Sequence, residues 1–126
     1  MLYSDDLQAV PAGGTLTLPL SALNSPTGSI ALSGSDGLSL APGQYLLTFV
    51  SDATITEAGS IGAALALDGT ALPYAQAALS STGPDGDRIA LSAIVSPTAA
   101  STLTVINNAD NALSYENSTL TAVKLA

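Results

Sequence analysis

Apolar and polar residues alternate in short runs along the whole chain, and the runs are cut by Gly, Pro, Asn, Asp and Ser. No i, i+3, i+4, i+7 apolar pattern persists over several turns, so the pattern predicts strands throughout. Residues 7–10 read as a short strand and residues 15–20 as a second, whose Pro19 suits an edge or a strand end. After a turn at residues 24–28 come strands at 29–33, 37–40 and 41–50, the last with a predicted extension through 53–56. Residues 62–68 and 70–79 flank Asp68-Gly69, a dipeptide that favours a tight hairpin turn. Their Ala and Leu content would support a helix by local propensity, but that turn and Pro73 favour strands. Strands at 87–95, 101–106 and 119–125 complete the series, with loops at 81–86 and 107–117. Eight to ten short strands at regular spacing predict an all-β sandwich or barrel. The 126 residues are expected to form a single domain, with residues 1–14 as a lead-in.

Within this pattern the run Ala41-Pro-Gly-Gln-Tyr-Leu-Leu-Thr-Phe-Val50 stands out. Side chains on a strand alternate between faces, so Tyr45, Leu47 and Phe49 point one way and Leu46, Thr48 and Val50 the other. Both sets are largely apolar. The same holds for Leu91 and Val95 against Ile94, and for Val123 and Leu125 against Leu120. An antiparallel sheet usually wets one face, so strands of this kind are expected to meet a second surface, either inside the sandwich or on a neighbouring subunit. Tyr45, Leu47, Phe49, Leu91, Ile94, Val123 and Leu125 are therefore candidates for core or subunit interface. A one-residue change of register would exchange the two roles.

Composition narrows the chemistry. The chain has ten carboxylates against two basic residues, Arg88 and Lys124, for a formal charge of -8. That balance opposes nucleic acid and anionic lipid. There is no His and no Cys, so a Ser or Thr nucleophile would lack its usual base, and no enzymatic activity, catalytic residue or cofactor is expected. Asp85-Gly-Asp87, with Asp36, Asp52 and Asp68, matches no dedicated cation loop and reads as turn chemistry, so no metal is expected. The polar stretch carrying Asn107, Asn108, Asp110, Tyr115 and Asn117 is a candidate ligand loop for a glycan or receptor. No apolar run approaches the ~18 residues of a membrane helix. Met1-Leu-Tyr-Ser-Asp-Asp lacks the pattern of a secretory signal, so export is expected to need sequence upstream.

Three segments carry a family resemblance: Gly37-Leu-Ser-Leu-Ala-Pro-Gly-Gln-Tyr-Leu-Leu-Thr-Phe-Val50, Ala64-Leu-Ala-Leu-Asp-Gly-Thr70 and Leu120-Thr-Ala-Val-Lys-Leu125. With the order of strands, they resemble the globular C-terminal heads of bacterial collagen-like surface proteins, including spore-coat (exosporium) glycoproteins. The resemblance implies a tumour-necrosis-factor-like and complement-head-like jelly roll of about ten antiparallel strands in two sheets. It implies a homotrimer with the 41–50 strand and the C-terminal strand nearest the three-fold axis. The implied work is structural: trimerisation and display at a bacterial cell or spore surface, outside the cell, above a collagen-like stalk. No Gly-X-Y repeat occurs in this chain, so such a stalk is expected either upstream or not at all. The alternative is a ligand- or carbohydrate-binding adhesin or phage fibre head on the same trimeric scaffold.

Overall fold

A computed structural model of the chain describes residues 1–18, 20, 21 and 28–126. Its strands are β1 (Leu2–Ser4), β2 (Gln8–Val10), β3 (Leu20–Ser21), β4 (Ile30–Ser33), β5 (Gly37–Leu40), β6 (Tyr45–Ile55), β7 (Gly59–Leu67), β8 (Thr70–Ser81), β9 (Asp85–Val95), β10 (Ser101–Ile106) and β11 (Leu113–Lys124). They form two antiparallel sheets. The front sheet has the order β3-β1-β11-β6-β9, and the back sheet β4-β5-β10-β7-β8. β2 also pairs with β11, beside residues 113–115, while β1 lies beside 118–120. β1 and β2 thus share one lane, and each sheet is five lanes wide. From β6 onward the chain swaps sheets at every connection except the β7–β8 hairpin, and this alternation makes the sandwich a jelly roll.

The alternation read from the sequence sorts β6 cleanly. Tyr45, Leu47 and Phe49 are fully buried and cluster with Leu38, Leu40, Leu65 and Leu103 of the back sheet. Leu46, Thr48 and Val50 face away from the core. The Tyr45 hydroxyl donates to the Ala41 carbonyl at 2.7 Å, which lets a phenol sit in an apolar core with its polar atom partnered. At the β7–β8 hairpin, Asp68 and Gly69 both have positive φ, 50° and 82°, the backbone that a two-residue turn between twisted strands requires. Local helical propensity in β7 and β8 is overridden because the ladder that pairs Ala63 with Ala77 turns Ile61, Ala63, Leu65 and Ala75 into the core.

The structure departs from the pattern in several places. β11 starts at Leu113, so Tyr115 is a strand residue rather than part of a loop, because its ring fills the core. β9 takes in Asp85 and Gly86, which pair with Ile55 and Thr54 at the extended end of β6. Residues 15–18 form no ladder beyond a single bridge from Thr15 to Ile106, although Leu16 and Leu18 are buried. Leu2–Ser4, given no element by the pattern, is held in the front sheet by β11. Pro19 and the greater part of the predicted 24–28 turn lie outside the described residues.

Because Leu47 is wholly enclosed, Leu47→Ala should destabilise the chain by about 2–5 kcal/mol through lost contacts and a cavity. Urea unfolding followed by circular dichroism measures this, and an unchanged midpoint would contradict the placement of Leu47 in the core.

Candidate assembly surface

The outer face of the front sheet is organised in rows set by register. The first joins Val123, Leu46 and Ile94, one from each of β11, β6 and β9. Their relative exposures are 49%, 37% and 55%, so an aliphatic band faces solvent at the end of the sheet where β6 begins, here the upper end. Leu125, just past β11, is exposed beside it. Below lies a belt of hydroxyls, Thr121, Thr48 and Ser92, and then Tyr3, Thr119, Val50 and Ala90.

The fourth row is charged, with Glu116, Asp52 and Arg88 side by side. Arg88 Nη1 meets Asp52 Oδ1 at 2.8 Å. Between Glu116 and Thr119 the register shifts, and Asn117 adopts a positive φ of 53° there. This turn aims the Asn117 amide at Asp52 Oδ2, 3.2 Å away. Asn117 donation first, and Arg88 second, hold the Asp52 carboxyl below its ordinary range. On the core side of the same shift, Ser51 and Ser118 bring their hydroxyls to 2.8 Å, and Ser51 also reaches the Glu116 carbonyl at 3.3 Å. The buried polar atoms created by the irregularity are thereby partnered.

A second unpartnered surface is the open edge where β8 and β9 end their sheets. A cleft of about 220 Å³ runs there, with Ile61, Ala77, Leu79 and Ile89 on its apolar side and Asp87 and Arg88 on its charged side. Residues 69–84 carry no charged side chain. Long uncharged edges invite association unless another surface covers them. Most carboxylates lie at one end of the sandwich. Asp52, Glu57, Asp85, Asp87, Asp110 and Glu116 belong to the lower half, where β6 ends and β9 and β11 begin, and only Asp68 marks the upper hairpin.

No protein-family model matches the sequence, and no curated protein matches it. Among solved structures, that of Eiger TNF from S. frugiperda superposes with a TM-score of 0.75 at 20% identity, covering 98% of this chain and 90% of that one. The chain has the tumour-necrosis-factor-like jelly-roll fold.

On this TNF-like fold the residues singled out from the sequence separate. Tyr45, Leu47 and Phe49 are core, Leu91 is half-buried against it, and Ile94, Val123 and Leu125 are exposed on one subunit. The polar stretch 107–117 divides in the same way. Asn107 is fully buried, with Nδ2 donating to the carbonyls of Val10 at 3.1 Å, Pro11 at 3.3 Å and Asn111 at 3.0 Å. Its Oδ1 accepts from the Ala109 amide at 2.9 Å, so this side chain ties the loop to the lead-in and presents nothing to a ligand. Tyr115 is equally enclosed, its hydroxyl donating to the Gly62 carbonyl at 2.5 Å. Asn108 is half-buried and donates to the Ala77 carbonyl at 3.2 Å. Asp110 and Asn117 are exposed, Asn117 on the front face rather than in the loop. Among the described residues no three acidic, His or Cys side chains group as a metal site.

Sequence reasoning passed over the Asn111–Ser60 clamp. There the Ser60 amide donates to Asn111 Oδ1 and Asn111 Nδ2 donates to the Ser60 carbonyl, both at 3.1 Å. The partners are 51 residues apart, so no local pattern reports them.

Burial pushes the Tyr115 phenol far above its ordinary value. The neutral phenol is thus favoured in the fold, and its contribution is complete below the unfolded value of about 10 and lost as pH rises above it. Tyr115→Phe should cost about 1–3 kcal/mol near neutral pH and flatten the alkaline decline in stability. Urea unfolding across that range tests both, and an identical alkaline profile in the variant would refute the assignment.

Proposed function

We propose that the chain is a non-enzymatic, homotrimeric head whose work is assembly and display. The observation that carries this reading is the presence of two separate unpartnered surfaces on one molecule, the aliphatic row of the front face and the β8/β9 edge, whose β8 side carries no charge. Two such patches, unlike each other, favour head-to-tail contact, which forms a ring when the rotation closes. The TNF-like fold favours three-fold closure. Front face and edge of successive subunits would then cover each other, giving the doubly apolar strands β6, β9 and β11 the second surface they lack.

The finer reading is a head of a bacterial collagen-like surface protein, displayed outside the cell or on a spore. Its support is the resemblance of residues 37–50, 64–70 and 120–125. With a run of Gly-Pro-Pro triplets fused upstream, such a head should raise the melting temperature and refolding rate of the triple helix. A fused head that left both unchanged would remove this role.

Light scattering on the purified chain should give three times its 12.4 kDa mass. Val123 is exposed on one subunit but covered in the proposed ring, so Val123→Asp should keep the circular dichroism of the fold and fall to a single-chain mass, since a buried unpaired carboxylate is costly. A variant that stays trimeric would sink the proposed interface.

A further inference from the structure

The sandwich is open along the β8/β9 edge. Leu79 pairs with Ile61 and so shares its core-side face of the back sheet, yet Ile61 is fully buried while Leu79 is 47% exposed. The cleft of about 220 Å³ is the gap that results, reaching from Leu79 and Ile61 across to Ile89 of the front sheet. An apolar edge of this kind calls for cover. An added strand cannot supply it along the whole of β8. Ala66 pairs with Ala71 and Ala64 with Gln76, so residues 72–75 swell outward opposite the single residue Leu65, and Pro73 among them has no N–H to offer. A side chain inserted between the sheets meets no such obstacle.

We propose that Tyr3 of a neighbouring copy of this chain fills the cleft, with Glu116 of that copy against Arg88 on the charged side. The proposal rests on the trimeric reading and names the contact within it. Rotation about an axis along the strands leaves each residue at its own level, so register decides what meets the cleft. Ala90, at the cleft wall, lies in one row with Val50, Thr119 and Tyr3, and Arg88 lies in the next row with Asp52 and Glu116. In an edge-on-face ring the lanes beside a copy's own edge turn to the axis, which leaves β11 and β1 to the edge of the next. Tyr3 points outward there, half-exposed between buried Leu2 and Ser4. It is the one aromatic side chain of the front face, since Tyr45, Phe49 and Tyr115 are core and Tyr74 belongs to the back sheet. Charge points to the same copy-to-copy contact. Arg88, one of two basic side chains in a chain of -8, is exposed and held on one side by Asp52, and Glu116 is exposed at its level. Asp87 turns its Oδ1 back to the Arg88 amide at 2.8 Å. A ring in an apolar slot beside an arginine has the composition of an interface hot spot.

The chain has no cysteine, and within one copy Tyr3 and Leu79 lie in different sheets, so a Tyr3→Cys, Leu79→Cys double variant reports contact between copies. A short bis-maleimide linker should give a denaturing-gel ladder ending at three chains, and neither single variant should cross-link. A solution trimer without that ladder overturns the Tyr3 contact and leaves the trimer standing, while a monomer overturns both. The chain also has no tryptophan, so the emission of Tyr3→Trp should shift to the blue as concentration rises into the trimer, and a trimer with the emission of the dilute chain overturns the seat. Arg88→Glu should weaken trimer association by about tenfold. Adding Glu116→Arg should recover it, because Asp52 then has a cation on its other side; no recovery overturns the Arg88–Glu116 pair.

Discussion

The burial of one face of β6 beneath the back sheet sets the terms for the rest of the molecule. Once Tyr45, Leu47 and Phe49 close against Leu38, Leu40, Leu65 and Leu103, the opposite face of β6 must point outward with Leu46, Thr48 and Val50. β9 and β11 take their register from β6 on its two sides, so their outward residues fall into the same rows. The aliphatic band at the upper end is a geometric result of core packing rather than a separate feature.

The lower end is held by a different kind of interaction. Buried Asn107, the Asn111–Ser60 clamp and the Tyr115 hydroxyl join the lead-in, β7 and the last loop through polar groups that are almost all partnered. In a low-dielectric interior, such satisfied networks specify one arrangement more sharply than apolar packing does. An Asn-rich stretch in this chain is therefore in large part internal fastening, and the ring of carboxylates outside it stays solvated.

This division gives the molecule a polarity. Carboxylates gather at the lower half, while the front face is aliphatic at its upper end and β8 carries no charge. A chain of net charge -8 associates with its own kind most favourably where neither copy brings a carboxylate. The charged row of Glu116, Asp52 and Arg88, fixed by the positive φ of Asn117, marks where that neutral surface ends.

Alternation and turn residues alone determined that the chain is all β, that Asp68-Gly69 is a hairpin, and that β6 separates into the sets Tyr45, Leu47, Phe49 and Leu46, Thr48, Val50. These are local properties of side-chain direction and backbone freedom, and they survive in any fold that contains the strand. Which set lies inside was decided only when a second sheet packed on one face, because both sets are apolar enough for either place. Tertiary structure likewise decided that Tyr115 is core while Tyr74 is surface, although both lie in long strands. The difference lies in a carbonyl at Gly62, 53 residues away, and in a swelling opposite Leu65, and contacts between distant segments leave no trace in the local pattern.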